Sequence, residues 1–127
     1  MAAAHAASAR ADALVTEGVG GLMVPLTLGY SVRDFAVDLG LPVIVVARPG
    51  LGTISHTLLT IEAARAVGLA VAGVVMTPWP GRSDAMQHSN RETVERLGGV
   101  EVGGLPPVEP GDLAEAGARL PLDRWLG

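Results

Sequence analysis

Lysine and cysteine are both absent from these 127 residues. Without lysine the chain contains no G-x-x-x-x-G-K-[ST] loop, whose lysine reaches the terminal phosphates of a nucleotide, and no amine for Schiff-base chemistry. All nine basic residues are arginines. Without cysteine there is no disulfide framework, thiol nucleophile or zinc–thiolate centre, and a reducing cytoplasm is the expected compartment. The three histidines, His5, His56 and His88, lie too far apart for metal-ligand spacing. No G-x-S-x-G element marks a serine hydrolase. No apolar run approaches the roughly 20 residues of a membrane span. The opening MAAAHAASARADA lacks both the basic leader and the continuous apolar stretch of a signal peptide, and reads as the tail of a helix. A net charge of −4 with a pI near 5.2 is not the basic footprint of a nucleic-acid binder, so small molecules are the expected partners.

What is present is a folding composition. With 49% hydrophobic and 17% charged residues the chain can bury a real core, and its length suits a single domain over residues 1–127. Four apolar, β-rich runs recur: ALVTE from Ala13, PVIVVA from Pro42, VAGVVM from Val71 and VEVGG from Val100, each starting 29 residues after the last. That interval suits a strand, a crossover helix and the return to the next strand. The two middle runs do not alternate in polarity, as expected of strands covered on both faces of a parallel sheet.

Helices fill the intervals. Ser31-Val32-Arg33-Asp34 has the look of a capping box opening a short helix that stops at Gly40, before Pro42. Thr53 to Val67 places Ile54, Leu58, Ile61 and Ala64 on one stripe, with Gly68 just beyond its end. Ser83 to Leu97 is more polar, with Met86, Thr93, Val94 and Leu97 as its buried side. A short helix is expected around Leu113 to Ala118. The fold class is α/β, a parallel sheet flanked by helices.

In such sheets ligands sit beyond the carboxyl ends of the strands. Glu17 would end the first strand and precede Gly18, Val19 and Gly20. A carboxylate there can hold Mg²⁺, and glycines let backbone N–H groups approach an anion; a solvent-facing acid and a loose turn remain the alternative. The loop Pro49-Gly50-Leu51-Gly52 runs into the Thr53 helix, whose free N–H groups and positive dipole end suit an anion, a carboxylate better than a triphosphate. A cap formed by Thr53 or Ser55 is the alternative there. His56 reads as a packed or capping residue. Trp79 and Trp125 read as packing residues, although Trp79 lies in a loop that could border a base.

The segments ALVTEGVGGLMVPLT and LGLPVIVVARPGLGTISHTLLTIEAARAVGLAVAGVVMTPWP together resemble the carboxyl-terminal half of dethiobiotin synthase, whose usual wording is V-E-G-A-G-G and, later, L-G-x-[IL]-N-H-x-x-L-T. The match runs from about Leu14 to Pro80, roughly half the chain at the boundary precision of such readings. The resemblance implies an incomplete P-loop NTPase-like fold, its amino-terminal P-loop unit missing. It implies an ATP- and Mg²⁺-dependent ligase, a cytoplasmic homodimer of biotin biosynthesis. Such an enzyme joins 7,8-diaminopelargonate to CO₂, phosphorylates the carbamate with ATP and closes the ureido ring with loss of phosphate. Carried onto this chain, Glu17 is the acidic Mg²⁺ ligand and a catalytic residue. Gly18, Val19 and Gly20 line the reacting centre. Gly50, Leu51, Gly52 and Ser55 hold the distal carboxylate, a contact supplied across the dimer. The base-contacting positions fall on Thr77 and Pro78 and on Leu105, Pro106, Pro107 and Val108.

The pattern departs from the family in three places. The family's N-H pair reads Ser55-His56, its Asn-Asp pair falls on Thr77-Pro78, and its lysines and P-loop threonine have no counterpart. The expectation is a carboxyl-terminal fragment inactive alone. The alternative is a non-catalytic module that binds a carboxylate or a partner surface through GLGTIS without Mg²⁺.

Overall fold

Pro25–Thr27 (β1) and Tyr30–Ser31 (β2) pair antiparallel across Leu28 and Gly29, and β2 leads straight into the helix Val32–Leu39 (α1). The computed structural model describes residues 4, 6–7, 9–10, 12–18 and 20–126. Met1–Leu41 and Pro42–Gly127 are two separate units. In the first, α1 starts and stops where its sequence says it should. The Asp34 backbone N–H donates to Ser31 Oγ at 3.3 Å while the Ser31 N–H donates to the Asp34 carboxylate at 2.7 Å, a reciprocal capping box. Gly40 then takes a left-handed φ of 66° and closes the helix. The Val32 and Arg33 N–H groups donate to the carbonyls of Val24 and Leu22, which draws the loop before β1 against the start of α1.

The strand expected over Ala13–Glu17 does not form. Residues 13–18 are irregular and Val15 is 85% exposed. A strand is held by cross-strand N–H···O bonds, and ALVTE has no ladder partner among the described residues, so apolar composition alone leaves it unpaired.

The second unit carries the parallel sheet: Val43–Ala47 (β3), Val71–Met76 (β4) and Val102–Gly104 (β5), in the order β3-β4-β5. Thr53–Arg65 (α2) joins β3 to β4, and Ala85–Gly98 (α3) joins β4 to β5. A 3₁₀ turn over Pro110–Asp112 and two short helices, Leu113–Gly117 (α4) and Leu122–Leu126 (α5), follow. The last of these was not expected from sequence. Val45, Val74, Met76 and Val102 face Ile61 of α2 and Val94 of α3 to make the core. On the opposite face Trp125 seats its indole on Gly73 and against Gly103, where any Cβ would collide or crowd with it. β4 is buried on both faces as its unbroken apolar run implies, but among the described residues β3 is an outer strand and leaves Val46 68% exposed.

Within α2, Ile61 and Ala64 are buried and Ile54 and Leu58 pack on the core, as the stripe predicts. The buried row of α3 shares Val94 with the expected one and otherwise differs from it. Met86 and Leu97 are exposed, whereas Asn90, Val94 and Gly98, four residues apart, form the seam. Gly98 allows the close approach: a Cβ there would stand 3.0 Å from Ile61 Cδ1. Among the described residues no helix is long and apolar enough to cross a membrane.

Candidate functional site

Three loops meet at the carboxyl ends of the parallel strands. The first, residues 48–52, delivers β3 to α2. Its last residue, Gly52, is the N-cap of α2 at φ 89° and brings no capping side chain. The cap by Thr53 or Ser55 left open by the sequence is not made. Thr53 is buried with its hydroxyl 3.3 Å from that of Thr57, and Ser55 is exposed. The Ile54 and Ser55 N–H groups therefore have no acceptor among the described residues, the state in which a helix N-terminus receives an anion. Thr53 N–H donates to the Gly50 carbonyl at 3.2 Å, closing a tight turn whose tip is the exposed Leu51. His56 is exposed rather than packed, and its ring lies beside Gly52.

The second and third loops are laced together. Leu105 N–H donates to the Met76 carbonyl at 3.0 Å and Trp79 N–H donates to the Leu105 carbonyl at 2.7 Å, so the β4–β5 ladder extends beyond the strand ends. Thr77 N–H donates back to the Ala47 carbonyl at 2.9 Å. The candidate base-contacting residues Thr77, Pro78 and Leu105 are thus brought into one place, with Pro106, Pro107 and Val108 following. The Thr77–Pro78 peptide is cis. Trp79 rests on Gly104, where a Cβ would stand 2.8 Å from the indole. The Arg91 guanidinium stands 5.7 Å from the centre of that indole and the His88 ring meets it edge-on at 5.8 Å. Trp79 is a packing residue in this arrangement.

Glu17, Gly18 and Gly20 belong to the first unit. Glu17 sits in the irregular segment and is exposed, so it is not the terminal residue of a buried strand. Gly18 is pressed onto Val32, where a Cβ would come within 2.5 Å of Cγ1, and Gly20 has a left-handed φ of 80°. Val19 lies outside the described residues. Among the described residues no group of three or more acidic or histidine side chains is poised to hold a metal.

Asn90 is the residue that sequence reasoning missed. It is 8% exposed, and its Nδ2 donates to the carbonyls of Pro49 at 3.0 Å and Gly50 at 3.4 Å. The available signal was an amide at the head of the i, i+4 row that continues through Val94 and Gly98. An open cavity of about 420 Å³ runs beside β5 and is lined by, among others, Arg91, Arg119, Arg124 and Glu101. Arg124 clasps Glu101 there through both Nε and Nη2. The ion pair holds the Glu101 carboxyl below the usual glutamate range and raises Arg124.

A family model described as an AAA domain matches residues 1–112. Relatives that the chain matches carry the name ATP-dependent dethiobiotin synthetase BioD. The one from Anaeromyxobacter dehalogenans (strain 2CP-1) is 49% identical over 108 residues, 85% of this chain and 48% of the relative. The one from Bacillus cereus (strain G9842) is 47% identical over 104 residues, 82% of this chain and 43% of the relative. The chain spans about half the length of these curated relatives, and the resemblance read from ALVTEGVGG and GLGTISHTLLT is borne out.

Proposed function

The chain belongs to the AAA domain family, and on that premise we propose that it supplies part of an ATP-dependent dethiobiotin synthetase of biotin biosynthesis. The observation that carries this reading is the uncapped start of α2, with free N–H groups at Ile54 and Ser55 behind Gly52. A carboxylate is the anion it suits, because the site has no lysine and no phosphate loop. The substrate with such a carboxylate is 7,8-diaminopelargonate. Gly50, Leu51, Gly52 and Ser55 bind its distal end within a homodimer, and Thr77, Pro78 and Leu105 to Val108 border the base of ATP.

In the full reaction one amine takes up CO₂ as a carbamate, ATP phosphorylates the carbamate oxygen, and the second amine closes the ring and expels phosphate. Gly18 and Gly20 line the centre where these groups meet, and Glu17 serves that centre as the catalytic carboxylate. Glu17 offers one hard, exposed oxygen donor, which fits Mg²⁺ bound by one or two carboxylates together with phosphate oxygens and water. Bound there, Mg²⁺ offsets phosphate charge. A cytoplasmic location goes with this role.

Calorimetry with the 127-residue chain tests the reading. Diaminopelargonate is expected to bind at least about tenfold more tightly than its methyl ester, the worth of one charge-assisted contact; equal affinities would overturn the carboxylate site. The same chain is expected to release no ADP from ATP with the diamine, bicarbonate and Mg²⁺, because no lysine stabilises the transferring phosphoryl group. Diamine binding that ignores both Mg²⁺ and ATP would instead favour the non-catalytic module.

A further inference from the structure

We propose that Asn90 is a positioning residue for the carboxylate-binding start of α2, acting through the carbonyls of Pro49 and Gly50. The inference rests on the reading of that helix start as a carboxylate site. Asn90 occupies a place in the α3 seam where an apolar side chain would satisfy packing alone, since the next residues of the row are Val94 and Gly98. A buried amide is tolerated only when its polar atoms are matched. Here the Nδ2 group is spent on two consecutive carbonyls of an irregular loop 41 and 40 residues away in sequence.

The Gly50 carbonyl is the hinge of the arrangement. It accepts from Asn90 Nδ2 at 3.4 Å and from the Thr53 N–H at 3.2 Å. The oxygen that Asn90 holds is therefore the one that closes the turn presenting Gly52 and the free amides of Ile54 and Ser55. Holding both carbonyls toward α3 also keeps two partial negative charges away from an incoming carboxylate. A peptide flip in this glycine-bearing loop would exchange a donor for an acceptor at the site. Asn90 thus selects the loop conformation that an anion can use, and touches no substrate itself.

The experiment is a nonanoate titration of the ¹⁵N-labelled 127-residue chain, followed at the amides of Gly52 to Ser55. Wild type is expected to give saturable shifts, and Asn90→Ala to raise the Kd about tenfold, the worth of a lost loop-ordering hydrogen bond. Val94→Ala, one turn along the same buried row, weakens α3 packing without touching the loop. It is expected to keep the wild-type Kd while lowering thermal stability. An equal rise in Kd for both variants would reduce Asn90 to a packing role and overturn the inference. Should Asn90→Ala fail to fold, wild type alone decides. If Asn90 favours the binding-competent loop, nonanoate must in turn slow exchange of the Asn90 side-chain amide protons, by reciprocity, and an unchanged rate would overturn it. Shifts that Asn90→Ala leaves at the wild-type Kd overturn this inference alone. Absence of any shift at Gly52 to Ser55 in wild type overturns the carboxylate reading and takes the inference with it.

Discussion

Gly73 of β4 is the seat of Trp125: the indole, 4% exposed, occupies the space a side chain at residue 73 would need. The chain's carboxyl-terminal helix is therefore fastened to the sheet by a missing methyl group. Gly73→Ala is expected to destabilise the protein by about 1–3 kcal/mol through overpacking. The smaller ring of Trp125→Phe should recover part of that loss in the double variant. Urea unfolding of the two single variants and the double variant gives the answer, and strictly additive losses would count against the contact.

Tyr30 is the only tyrosine in the chain, and its hydroxyl donates to Asp38 at 2.6 Å. The hydrogen bond and the neighbouring negative charge push its pKa up to about 12. Its folded value is raised, so the stabilisation is complete below the ordinary tyrosine pKa near 10 and is lost as pH climbs through the folded value. Absorbance titration at 295 nm should show a single transition well above pH 10 that Asp38→Asn moves downward.

Glu101 gives the opposite sign at the acid end. Its carboxyl is held low chiefly by the hydrogen bond from Arg124, so the contribution is present above the ordinary glutamate range and fades as pH falls through the depressed folded value. The thermal midpoint of Glu101→Gln should lie below that of wild type at neutral pH. The gap should narrow as the pH falls below the usual carboxylate range. A gap independent of pH would remove the ion pair from the account.

For Glu17 the expectation concerns Mg²⁺. Calorimetry of the nucleotide and diamine with and without Mg²⁺ should show a metal-dependent gain in wild type that Glu17→Ala abolishes. A gain that survives the substitution would place the metal on other ligands.

The parts of the fold that local rules decide were legible. The Ser31/Asp34 capping box, the end of α1 at Gly40, the VAGVVM strand and the Thr53 helix each follow from residues within a few positions of one another. Expectations failed where the deciding partner is distant. ALVTE has strand composition but no ladder to join. Met86 and Leu97 are apolar, yet α3 turns its Asn90, Val94 and Gly98 row inward, where Gly98 lets Ile61 approach closely. The candidate site divides in the same way. The Gly-bearing start of α2 can be read from GLGTIS, whereas the amide that holds its loop arrives from 40 residues away, marked locally only by its place at the head of the Val94 and Gly98 row.

The bonds by which Leu105 donates to Met76 and accepts from Trp79 also bear on how the loops after β4 and β5 cost entropy to order. Each loop alone would have to be immobilised separately when a ligand arrived. Clasped at Leu105, they share a single immobilisation already made in folding, so a ligand resting on either loop meets a surface stiffened by both.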